Sequence, residues 1–172
     1  MSYNQNVIVF DASTIILLAK IDILELFISN YRGRILISET VSLEICTEGR
    51  EETPLIVKLI EDKRIKILKV KNSGQIKKLM MDFNIDAGEA ETLILAIQEG
   101  ALMVATDDRN AIRACKILKL DFVTAVAILI RAFEKNLIDT DEALIKLQKL
   151  QSVGRYSMAI IEDAIKQIKG GV

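Results

Sequence analysis

The chain has 172 residues, 51% apolar and 27% charged, with a formal net charge of −1; that suits one domain with a hydrophobic core and argues against disorder. Histidine is absent and cysteine occurs only at Cys46 and Cys115, which excludes Ser-His-Asp triads, Cys-His nucleophile pairs and His- or Cys-caged zinc. With so little net charge, any nucleic-acid binding needs a local basic patch rather than the field of the whole molecule.

Val7–Phe10 is a short unbroken apolar run, as in a strand buried on both faces. Ile15–Leu18 and Leu24–Ile28 read as two helical segments broken near Asp22. Arg34–Ile37 is the second strand, and Ser38 or Thr40 starts a helix through Glu48. Gly49 and Pro54 mark a loop, followed by a helix to about Asp62. Apolar and Lys residues alternate over Ile65–Val70, which predicts a strand near the sheet edge. Ile76, Leu79, Met80 and Phe83 form a helical stripe, repeated at Ala90, Leu93, Ile94 and Ile97 after a capping signal at Asp86. Gly100 ends that helix and Leu102–Ala105 is the fourth strand. Ala111, Ala114, Cys115 and Leu118 mark the next helix, Asp121–Val123 a fifth strand, and a further helix runs to about Lys135. Two last helices, about 140–150 and 157–169, flank a turn at Gly154. Strands separated by helices imply an α/β fold with a parallel sheet covered on both sides.

Two strands run directly into aspartate. Val7–Phe10 leads to Asp11, and the fourth strand leads to Asp107 with Asp108 beside it. Open α/β sheets bind ligands beyond the carboxyl ends of their strands, where the strand order reverses, so neighbouring first and fourth strands would turn Asp11 and Asp107 to one pocket. Glu44 lies in the helix after the second strand, and Glu89 in the first turn of the helix entering the fourth. Carboxylates without His or Cys suit hard cations, Mg²⁺ or Mn²⁺. Each acid also has a structural explanation. Asp11 and Asp107 stand where an N-cap belongs, Asp86-Ala-Gly-Glu89 has the form of a capping box, and Glu44 fits a solvated helix face. Four acids at the positions a metal site requires outweigh separate capping roles.

The segments Val-Phe-Asp11-Ala-Ser13-Thr14, Val41-Ser-Leu-Glu44-Ile, Asp86-Ala-Gly-Glu89-Ala-Glu91-Thr and Ala-Thr-Asp107-Asp108-Arg109 resemble the ordered acidic motifs of PIN domains. The resemblance is to an archaeal and bacterial VapC-like subfamily with a Gly-Glu-Ala-Glu helix and an Asp-Asp-Arg turn, and it covers nearly the whole chain. It implies a three-layer α/β/α fold with a five-stranded parallel sheet in the order 3-2-1-4-5. It also implies a PIN domain over residues 1–138 and a C-terminal helical extension over 139–172, packed on the same domain. Catalytic and metal-site roles pass by this resemblance to Asp11, Glu44, Glu89 and Asp107, with Mg²⁺ or Mn²⁺ as cofactor and Ser13, Asp108 and Glu91 in support. Where the family often has a further acid or Asn, this chain has Arg109, so Asp108 and Asn110 are alternatives for that role. Glu91 is a rival to Glu89; two residues apart on a helix, the pair cannot share one face.

The function implied is a metal-dependent endoribonuclease cleaving single-stranded RNA to 5′-phosphate and 3′-hydroxyl ends, the toxin of a toxin–antitoxin pair. A small antitoxin protein and a second copy of the chain are its expected partners. The alternative is a non-catalytic RNA- or protein-binding module on the same fold, which would have no need of clustered acids. Arg109 and Arg113, four apart on one helix, are either RNA phosphate contacts or a solvated face. The stripe Met158, Ile161, Ile165 and Ile168 reads as core, or as a dimer or antitoxin surface. Neither a phosphate-loop nor a dinucleotide fingerprint occurs. Met1–Asn6 lacks the order of a signal peptide, and the longest largely apolar run, Phe122–Ile130, is about half of the ~20 residues a membrane span needs. The expectation is a cytoplasmic protein with both cysteines reduced in its core.

Overall fold

The computed structural model describes residues 6–47 and 49–170. Five strands, β1 (Val7–Phe10), β2 (Arg34–Ser38), β3 (Ile65–Leu68), β4 (Met103–Ala105) and β5 (Phe122–Val123), form one sheet in the order β3-β2-β1-β4-β5. Every pairing is parallel. Successive residues of a strand face opposite sides. Ile8 and Phe10 therefore join Ile35 and Ile37 in one core cluster, while Val7 and Val9 join Leu36 and Val104 in the other. That is why the first strand reads as an unbroken apolar run. The β3 pattern is different: Lys66 and Ile67 are exposed, as its edge position requires.

Between the strands run α1 (Ala12–Lys20), α2 (Leu24–Asn30), α3 (Glu39–Thr47), α4 (Thr53–Glu61), α5 (Ser73–Phe83), α6 (Ala87–Glu99), α7 (Arg109–Leu118) and α8 (Ala125–Glu134). The chain ends in α9 (Thr140–Val153) and α10 (Met158–Gly170). Helices α5, α6 and α7 cover the Val7–Val9 face; α1, α2, α8, α9 and α10 contribute to the cluster on the Ile8–Phe10 face. The result is three layers, α/β/α. Among the described residues no helix is long and apolar enough to cross a membrane.

Several expectations need adjustment. The break near Asp22 is a residue in left-handed conformation, φ 57°. Ser38 starts α3, accepting from the Val41 N–H at 3.1 Å, whereas the expected end at Glu48 lies outside the described residues. Pro54 belongs to the first turn of α4, where its missing N–H costs nothing, rather than to a loop. Ile97 is 54% exposed. Helix α6 packs against the sheet, α3, α5 and α7, so it buries a broad band that includes Thr92, Leu95 and Ala96 instead of one stripe. Cys46 is exposed and only Cys115 is buried. One helical residue advances the side chain by about 100°, which carries Cys46 off the face that Ile45 presents to the core. On α10, Ile161 and Ile168 are buried but Met158 is 62% exposed.

Candidate active site

Sheet order places the reversal between β1 and β4, and the backbone pairing continues to the end of both strands. The Asp11 N–H donates to the Ala105 carbonyl at 2.9 Å. Asp11 and Asp107 thus emerge side by side at the carboxyl edge of the sheet, in the crevice where such sheets bind ligands.

Asp11 is 4% exposed. Its Oδ1 accepts from the Ala12 N–H at 2.8 Å, and its Oδ2 from the hydroxyls of Ser13 at 3.0 Å and Thr106 at 3.4 Å. An ordinary N-cap accepts from the second or third amide of its helix. Asp86, Asp108 and Asp139 each do so, but Asp11 bonds to the first. Burial pushes the Asp11 carboxyl up to about 7, with repulsion from Asp86 and Glu44 adding to it, against the opposing hydrogen bonds of Ser13 and Ala12.

Asp107 is not the cap of α7; Asp108 is, accepting from the Ala111 N–H at 2.8 Å. The Asp107 carboxylate is instead held from three elements. The Thr14 hydroxyl of α1 donates to Oδ2 at 2.7 Å. The Ala125 N–H at the start of α8 lies 3.2 Å from both oxygens. The Tyr156 hydroxyl, from the turn between α9 and α10, donates to Oδ1.

Glu89 completes a capping box: its Oε2 accepts from the Asp86 N–H at 2.9 Å while its own N–H donates to Asp86 Oδ1 at 2.8 Å. Burial also pushes Glu89 up to about 7, with Asp86, Asp11 and Asp108 repelling it further. Glu44, half-buried on α3, is raised by burial and by Asp86, with Arg50 opposing. A glycine at 88 lets these helices approach, since a Cβ there would stand 3.1 Å from Glu44 Oε2 and 3.5 Å from Asp86 Oδ1.

Glu44, Glu89, Asp107, Asp108 and Ser13 line one cavity of about 390 Å³, with Lys20, Arg50 and Arg155 among its other residues. Asp11 joins this group through Ser13 and through its repulsion of Glu89. A larger cavity, about 540 Å³, opens by Asn6 and Leu102 at the opposite edge of the sheet, and its described lining carries no acid. Glu91 does not line the acidic cavity; its carboxylate accepts from the Thr40 N–H at 3.3 Å, at the start of α3. Arg109 and Arg113 are exposed on α7 and do not line the cavity. Sequence reasoning did not name Thr14, Arg50, Thr106, Arg155 or Tyr156 as site residues, and it gave Asp86 only its capping role. Thr14 and Asp86 lie inside the acidic motifs, whereas Tyr156 carried no local signal.

The donors around this cavity are carboxylate oxygens without imidazole or thiolate, which suits Mg²⁺ or Mn²⁺. Carboxyls raised by burial and mutual repulsion are the groups that a divalent charge would relieve. Among the described residues, no three acidic or thiol side chains stand ready-arranged around one ion.

No curated protein matches the sequence. Among solved structures, PAE2754 from Pyrobaculum aerophilum aligns with a TM-score of 0.50 at 16% identity, covering 76% of this chain and 94% of that one; the likeness is one of fold. The sequence model of the family DUF3368, described as a PIN domain, matches residues 7–170. That span takes in all five strands and the acidic crevice between β1 and β4, and the chain belongs to this PIN-domain family, a nuclease-type fold.

Proposed function

We propose that this protein is a VapC-like, divalent-metal-dependent endoribonuclease that cleaves single-stranded RNA, leaving 5′-phosphate and 3′-hydroxyl ends. The observation that carries the reading is the gathering of Asp11, Glu44, Glu89 and Asp107 at the switch point of the sheet, beside a cavity whose other residues include Lys20, Arg50 and Arg155. Asp11, Glu44, Glu89 and Asp107 would hold Mg²⁺ or Mn²⁺. When bound, such a cation supplies an activated water and charge stabilisation at the phosphorus. The chain's own part is placement. Ser13 and the Ala12 amide fix Asp11, while Thr14 and the Ala125 amide fix Asp107. Lys20 and Arg155 stand at the cavity to receive phosphates flanking the scissile one. We read residues 139–172 as a C-terminal extension of the same domain, whose described part carries α9 and α10 and whose Arg155 and Tyr156 line the cavity. In a cytoplasmic toxin–antitoxin pair, a small antitoxin protein would hold the enzyme silent, and a homodimer is its working form.

The test is cleavage of mixed single-stranded RNAs by the purified protein with Mg²⁺, with Mn²⁺ and with EDTA, with end-group analysis of the products. Two variants sharpen the assignment. Glu89→Gln is expected to abolish cleavage, while Glu91→Gln keeps most of it, because the Glu91 carboxylate serves the start of α3 and not the cavity. Loss of cleavage in Glu91→Gln alone would exchange their roles.

Arg109 and Arg113 are proposed as outer contacts to the RNA backbone. If both neutralise phosphates, replacing them with Ala weakens RNA binding and flattens its dependence on log salt by a slope of roughly two. An unchanged slope returns both to a solvated helix face and leaves Lys20 and Arg155 as the phosphate contacts.

A further inference from the structure

We infer that Tyr156, delivered by the turn of the C-terminal helical pair, is a positioning residue of this site that fixes the Asp107 carboxylate for ligation. The inference rests on the nuclease reading above and assigns the C-terminal helices a part in it.

The turn that carries Tyr156 is tied at both ends. The Gly154 N–H closes α9 on the Leu150 carbonyl at 2.8 Å, and Ser157 opens α10, its hydroxyl accepting from the Ile160 N–H at 3.4 Å. The tyrosine ring folds back over Gly154. A Cβ at 154 would stand 2.6 Å from ring atom Cε2 and 2.9 Å from the Leu150 carbonyl oxygen, so the ring's place depends on the glycine. The phenol donates its single proton to Asp107 Oδ1.

This arrangement does more than fill space. Carboxylate rotation about χ2 is soft in an aspartate, and here it is stopped by donors from α1, α8 and the α9–α10 turn. One N–H, that of Ala125, is shared between both oxygens at 3.2 Å, so three donated protons meet about four acceptor sites and capacity remains on a carboxylate that lines the cavity. Partners of this kind, one step behind a ligand, set its orientation and basicity, and their loss costs about 10–100-fold in metal affinity or activity. A tyrosine serving only as a packed ring would lose nothing as phenylalanine.

Tyr156→Phe separates the two, because it keeps the ring and removes only the hydroxyl. Mn²⁺ affinity, read from thermal-shift titration without RNA, should fall about 10-fold or more. At saturating Mn²⁺, kcat should fall by a similar factor while KM for RNA stays within about threefold. Gly154→Ala, which displaces the ring without altering its chemistry, should reproduce the loss of Mn²⁺ affinity. A purely structural role predicts at most a lower melting temperature in EDTA, with Mn²⁺ affinity and kcat unchanged. An active wild type with an equally active, equally Mn²⁺-responsive Tyr156→Phe overturns this inference alone. A wild type that neither cleaves RNA nor binds Mn²⁺ overturns the nuclease reading and this inference with it.

Discussion

Asp11→Asn is expected to lower RNA cleavage by more than about 100-fold, beyond the usual cost of losing a ligand's outer partner, while leaving the protein folded. The two halves of that expectation have separate causes. Asn offers one carbonyl oxygen and no charge, so on the proposed function a hard cation would lose its most buried donor. The fold, by contrast, has what Asn requires. Its Oδ1 can keep the Ala12 amide bond, and its amide group can donate to the hydroxyls of Ser13 and Thr106, which accept as readily as they donate. Asp107→Asn should lose as much activity, since Asp107 lines the cavity and its capping role is taken by Asp108. A gel assay with Mn²⁺, beside circular dichroism of each variant, measures both halves. Activity persisting in both variants would remove Asp11 and Asp107 from the catalytic set, whereas a wild type without cleavage would favour a non-catalytic binding module on the same fold.

The residues that make up this site were not equally legible. Asp11 could be read because a fully buried strand has a plain signature, Val-Ile-Val-Phe, and the acid ends it. Glu89 came with a local grammar, the capping box, which the structure contains; that grammar could not choose between Glu89 and Glu91. What α6 packs against adds a fact the grammar lacks: Glu89 lines the cavity, while Glu91 accepts from the Thr40 N–H of α3, and the paired Gln variants test which of them serves cleavage. Strand order likewise has no trace in local periodicity. The order 3-2-1-4-5 came through family resemblance, because the pairing of β1 with β4 joins Ile8 to Met103 across the chain, beyond the reach of any local pattern.

Tyr156 marks where sequence reasoning stops. Its partner lies 49 residues away, and Thr14 reaches the same carboxylate across 93. No spacing rule links such positions. A glycine before a short polar turn announced only the end of α9. The same limit accounts for Cys46 and Ile97, apolar residues placed in the core on composition and stripe. Their exposure follows from which helix faces are covered: Cys46 stands about 100° round from the buried Ile45, and α6 buries a band that includes Thr92, Leu95 and Ala96 but leaves Ile97 outside it.

In chelator at pH 8, Asp11→Asn is expected to melt above the wild type, and in Mn²⁺ the difference should shrink or reverse. The Asp11 carboxyl moves from an ordinary 3.8 to about 7 on folding. The folded state therefore prefers the protonated form, so the stability this group contributes is complete below about pH 4 and lost as pH rises through about 7. The shift corresponds to at most about 4 kcal/mol, or roughly 10 °C for a chain of this size. Glu89 acts in the same direction. Asn carries no such titration, so the gap between mutant and wild type in EDTA should close towards pH 4. A divalent cation reverses the balance by stabilising the ionised carboxylates. At a hundredfold excess over its dissociation constant it adds about 2.7 kcal/mol to the wild type, and much less to a variant lacking one ligand. A helix cap predicts neither pattern, because Asn caps nearly as well as Asp and has no use for the ion. Melts of both proteins at pH 5 and pH 8, each in EDTA and in millimolar Mn²⁺, give the answer. Equal Mn²⁺ responses in the two would make Asp11 a buried structural acid and leave the cavity without its central ligand.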